Sequence, residues 1–141
     1  MAGMVGFTAF DELLATPFPV DHSEDDAIGY AHQLVAALTP QDWAALDAAW
    51  AQRPVAWQAR AAQVLSHGAP TYAVPLLLRM AASEAPDVAE AAADSLRDFG
   101  SPEAPLAVPV ALLERLERLA AERPGPVAMV LADLGRRLRA E

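Results

Sequence analysis

The sequence predicts an all-α fold, a stack of about three helical hairpins behind an N-terminal lead-in, and three observations carry that expectation. Alanine supplies about a quarter of the residues, and it is the strongest helix former. Apolar residues recur at three- and four-residue steps through most of the chain. The chain also repeats itself. Setting Trp57 over Val88 aligns WQARAAQVL with VAEAAADSL, and setting Val88 over Val127 brings VAMVLADLGRRL beneath both. The G-A-P at Gly68 to Pro70 returns as G-S-P at Gly100 to Pro102, and Val74-Pro75 returns as Val108-Pro109. Recurrence at roughly thirty to forty residues is what stacked helical hairpins leave in a sequence.

The elements are expected in this order. Pro17 and Pro19 confine any helix in the lead-in, residues 1–20, to about Ala9 through Ala15. Phe7, Phe10, Leu13, Leu14 and Phe18 would then plug the open end of the first repeat, since terminal units need a cap. Ser23 with Glu24, Asp25 and Asp26 reads as an N-cap and an acidic first turn, opening a helix to about Leu38. Thr39 caps the next helix, with Pro40 at its first position, Asp42 at its third, and Trp43, Leu46 and Trp50 as its buried stripe. Pro54 opens a helix to His67, which Gly68 would close in the left-handed conformation. A helix over 71–83 contains Pro75, which must either kink it or mark its true first turn, and Pro86 starts its partner, which runs to Phe99 and is closed by Gly100. SPEAPLAVP is a connection, Pro109 opens a helix with Leu112, Leu113, Leu116 and Leu119 inward and Glu114 and Arg118 paired outward, and Val127 to about Arg139 closes the fold.

Val74 to Leu96, VPLLLRMAASEAPDVAEAAADSL, resembles a HEAT-type repeat: a proline-bearing first helix, a short acidic turn, then V-x-x-x-A-A-x-x-L on the second. The pattern extends to Trp43–Leu65 and, with Gly135 in place of the expected leucine, to Val108–Leu138, about two thirds of the chain in all. The resemblance implies an α-solenoid of three HEAT-like hairpins, with residues 1–141 as a single domain. Ala89 and Ala128 stand where such repeats commonly carry a basic residue, which implies fewer inter-repeat ion pairs.

Charge narrows the partners. The chain carries 10 basic and 19 acidic residues, a formal −9, and the imbalance is uneven. Through Glu114 the net is −11; from Arg115 onward it is +2. An acidic body repels phosphate, so nucleic acid is not an expected partner. No apolar run approaches the ~20 residues that span a bilayer, and the N-terminus lacks a basic region before an apolar core, so neither membrane nor secretion is expected. A cytoplasmic protein is the expectation. Cysteine is absent, which removes disulfides, thiolate metal sites and thiol nucleophiles.

In a HEAT-like stack the second helices line a concave face, so aligned outward positions should form ladders: Gln63, Asp94 and Asp133; Ser66, Arg97 and Arg136; His67, Asp98 and Arg137. Asp87, Glu90, Asp94 and Asp98 fall on one side of one helix. The candidate partner-binding residues are therefore Asp87, Glu90, Asp94, Arg97 and Asp98, with Trp57 and Arg60 as neighbours. The plain alternative is that outward polar residues keep a helix soluble. Trp43, Trp50 and Trp57 are spaced by seven, but Pro54 breaks a heptad, and tryptophans in an alanine-rich hairpin fill core volume; one that was exposed would anchor an interface. The acids at Asp21, Glu24, Asp25 and Asp26 either meet a basic partner or serve the helix dipole.

His22, His32 and His67 have no i,i+4 partner and no carboxylate at ligand spacing, so no metal is expected. No serine lies in a G-x-S-x-G setting, and neither a phosphate-binding loop nor a dinucleotide fingerprint is present. The expectation is a non-catalytic binding protein without a cofactor, docking a more basic protein and occluding its working site. Small, acidic, cysteine-free HEAT-like chains are similar to bacterial immunity proteins, which implies a toxin domain as the partner. Two other classes stay open: an adaptor or assembly factor of a larger complex, and a HEAT-type enzyme. A DNA glycosylase would require a basic groove with exposed aromatics, and a bilin lyase an apolar groove that takes up pigment. Nothing in the pattern specifies an oligomeric state.

Overall fold

Prolines set most of the helix starts. In the computed structural model, which describes residues 5–15, 24–123 and 125–140, and only the backbone of Val5 and of 24–28, Pro40, Pro70 and Pro86 each occupy the first turn of a helix. Their missing N–H costs nothing there, because the first turn has no intrahelical acceptor to serve. The elements are α1 Val5–Leu14, α2 Glu24–Ala36, α3 Pro40–Ala49, α4 Val55–Val64, α5 Pro70–Ala81, α6 Pro86–Leu96, β1 Leu106–Val108, α7 Val110–Glu122, α8 Gly125–Gly135 and β2 Leu138–Ala140. Single 3-10 turns, Trp50–Gln52 and Leu65–His67, prolong α3 and α4. The described chain is thus mostly helical, as its alanine content and periodicity predict.

The repeated motif is a burial motif. Trp57, Ala61, Ala62 and Leu65 on α4 and its 3-10 turn are all buried, and so are Val88, Ala92, Ala93 and Leu96 on α6. The paired alanines let the two helices approach closely, and Ser95 of α6 uses that proximity to donate to the Ala62 carbonyl of α4. α4 packs on α6 and α6 on α8, so these helices form a row, while α5 backs α6 and α7 backs α8. α3 departs from the expected hairpin with α4. It packs chiefly on α1, and reaches α5 through the stacked rings of Trp43 and Tyr72, 5.7 Å apart, and the Asp47 to Arg79 ion pair.

α1 begins at Val5, four residues before the expected start, because its cap is not local. The Asp42 carboxylate, from the first turn of α3, accepts the Phe7 N–H at 3.1 Å while closing a capping box with Thr39. Phe7, Phe10 and Leu14 are buried and Leu13 packs against the core; Phe18 lies outside the described residues, as do the Ser23 cap, Pro124 and the side chains of the acids at 21–26.

Five further expectations need correction. Gly68 is extended, at φ −86° and ψ 166°, and not left-handed; glycine is required there because a Cβ would lie 2.7 Å from the Trp43 ring. The helix at Pro86 stops at Leu96 and continues only as a turn to Phe99, and Glu114 and Arg118 form no ion pair. The connection after α6 and the chain after α8 are not simply loop and helix. β1 and β2 pair in parallel, with Leu106 opposite Leu138, and tie the two ends of the α7–α8 hairpin together.

Candidate functional site

A groove of about 480 Å³ runs between α4, α6 and α8. α6, the middle helix of the row, contributes Asp87, Glu90, Ala91 and Asp94, and α8 contributes Pro126, Val127 and Val130. Gln63 of α4 reaches the same space. Acids and apolar side chains therefore share one groove.

The acids are held by arginines that the local pattern does not announce. Arg123, where α7 turns into α8, reaches back to α6: Nε pairs with Glu90 Oε1, Nη2 donates to Glu90 Oε2 at 3.3 Å, and Asp87 lies 3.7 Å away. The bond to Glu90 raises the Arg123 pKa above its ordinary value, so the charge is permanent. Arg97 bridges α6 and α8, donating to Asp94 at 2.7 Å and Asp133 at 3.1 Å. Partial burial works against the Arg97 charge, but Asp94 and then Asp133 more than offset it. Asp133 also accepts from Arg136 at 3.1 Å and Arg137 at 3.2 Å. Burial pushes its carboxyl up, yet Arg137, Arg97 and Arg136 hold it below the usual carboxylate range. Ion pairs therefore link α6 to α8 and to the turn before it, supplied from Arg97 and Arg123 instead of from the positions after the leading valines.

Each predicted residue has a definite place. Asp87, Glu90 and Asp94 come together on the groove, and Arg97 lies beside them. Asp98 is exposed in the turn after α6 and has no ion-pair partner among the described residues. Asp133, Arg136 and Arg137, expected as separate rungs, close into one cluster with Arg97.

No family model, no curated protein and no solved structure matches the chain.

Trp57 and Arg60 sit apart from the groove, and their partner is the chain's own first helix. Trp57 is buried, edge-on to Phe10 with centroids 6.3 Å apart, and its Nε1 donates to the Asp11 carbonyl at 3.3 Å. The Arg60 guanidinium donates twice to the Leu14 carbonyl, at 2.9 and 2.7 Å, satisfying the open C-terminal end of α1. Arg53 completes the clamp with a bidentate pair to Asp11, both bonds 2.9 Å, while lying over the rings of Trp57 and Phe7. No helix among the described residues is long and apolar enough to cross a membrane.

Proposed function

We propose that the chain is a non-catalytic protein-binding module, a HEAT-like α-solenoid of about three hairpins, which docks a more basic protein on the α4–α6–α8 face. In this reading it works by occlusion, as an immunity protein does when it covers the working surface of a bacterial toxin domain. The observation that carries the proposal is the groove that Asp87, Glu90 and Asp94 share with Val127 and Val130. A cationic surface with apolar neighbours finds both of its needs there. Support also comes from the net charge of −9, which speeds encounter with a basic partner, and from the row of α4, α6 and α8, which holds the face on helices instead of loops.

The test is capture of the partner from the native host at ~0.15 M salt, where long-range surface charge is already screened. Recovery of one basic protein, lost on Asp94→Arg with Asp98→Arg while the helical signal is retained, is the expected result. Recovery of a multi-subunit assembly insensitive to those changes would favour the adaptor, and retention of a coloured small molecule alone would favour the lyase.

A further inference from the structure

The third repeat lacks the side chain that closes the other two. Leu65 and Leu96 end their motifs fully buried, whereas the equivalent Gly135 is exposed and a Cβ built on it would meet nothing within 4 Å. Beside it lies a groove of about 430 Å³ between α7, α8 and β2, with Leu113, Leu116, Leu131 and Leu138 on its walls. α6 packs on α4 and α8 on α6, whereas among the described residues only β2 follows α8, and it forms one wall of this groove.

We infer that this end is where two copies of the chain meet, about a two-fold axis. The rim carries one acid, Glu117, and one base, Arg139, and neither has an ion-pair partner among the described residues. A two-fold contact presents the same patch on both sides, so one residue of each sign satisfies it twice: Glu117 of each copy faces Arg139 of the other. A small anion would meet Glu117, and a small cation Arg139; a second copy matches both. Val110, half exposed, lies on the same stripe of α7 as Leu113 and Glu117 and supplies an apolar side chain for the space at Gly135 of the second copy. The interface uses none of the α4–α6–α8 acids, so it stands independently of the proposed docking face.

Sedimentation velocity of the full chain from ~1 to ~500 μM reads this directly, because dimer formation follows mass action. The expected result is a monomer that rises to a dimer and no further. Gly135→Leu fills the groove from within and weakens the dimer by about tenfold or more, the scale of losing one buried apolar side chain. Glu117→Arg and Arg139→Glu each weaken it, and the two together restore it, since the swap recreates the pairing. That rescue decides the matter even where Gly135→Leu does not fold. A monomer throughout, growth beyond a dimer, or a dimer indifferent to both the glycine change and the charge swap would overturn the inference.

Discussion

The imidazoles of His32 and His67 stack face to face, centroids 3.6 Å apart and planes inclined by 21°, although one belongs to α2 and the other to the turn after α4. Burial first, and the neighbouring His67 second, hold the His32 pKa below the ordinary imidazole value. The folded state therefore takes up a proton less readily than the unfolded chain. Stability is fully present above about pH 6.5 and declines as the pH falls below that value. Thermal unfolding followed from about pH 8 to about pH 5 should show a lower midpoint at the acid end. His32→Gln should flatten that decline most, and His67→Gln only in part, because burial of His32 remains.

Gly68→Ala should destabilise by about 1–3 kcal/mol, the range for overpacking a filled core. The new Cβ would lie 2.7 Å from two atoms of the Trp43 ring and 3.1 Å from Val35 Cγ1. The ring has little room to retreat, being 4% exposed and stacked on Tyr72. Gly29→Ala in the middle of α2 makes the contrast, since its Cβ would meet nothing within 4 Å. It should stabilise by about 0.5–1 kcal/mol through helix propensity alone. Chemical denaturation of both variants checks the opposite signs.

Asp42 serves two helices at once, and its loss should be felt at the one distant in sequence. Its carboxylate accepts from Phe7 N at 3.1 Å and from Thr39 N and Oγ1, both at 2.9 Å. Burial raises its pKa, but the Thr39 and Phe7 amides and the Thr39 hydroxyl outweigh that and leave it below the ordinary carboxylate value. The stability it contributes is present above the unfolded value and is lost as the pH falls through the folded one. Asp42→Ala should cost about 2–3 kcal/mol, a lost cap plus donors left without a partner. Hydrogen exchange should rise in α1 as well as at the start of α3; a rise confined to α3 would refute the link.

What could be read from the residues divides by range. Thr39, Pro40 and Asp42 sit within three positions of one another, and the capping box they suggest is present. Pro70 and Pro86 mark helix starts by the same local logic, although Pro75, inside α5, marks neither a start nor an end. The start of α1 was missed because its cap lies thirty-five residues away, and the strands because LAV and LRA carry no alternation long enough to register. The acid side of α6 follows from helical spacing. Its ion-pair partners do not, since Arg123 reaches Glu90 and Asp133 reaches Arg97 only through the packing of α8 and the turn before it. Trp57 and Arg60 gave no local sign that they grip α1, because that helix precedes them by more than forty residues.

On the docking face proposed above, Arg123 occupies the place that a partner's cation would take, which makes it the sharpest test of that proposal. Its guanidinium covers Glu90, 16% exposed, and approaches Asp87. Arg123→Gln would leave both carboxylates unpaired and add one negative charge at the groove. Removing the cation beside Glu90, 16% exposed, should also lower the thermal unfolding midpoint. Association with a basic partner should instead quicken several-fold at ~0.05 M salt and converge on the parent rate toward ~0.5 M, as charge steering requires. Stopped-flow rates across that salt series separate the possibilities. A variant that binds more slowly at low salt would mean that Arg123 orders the face for its partner, and that the acids do not act as free attractors.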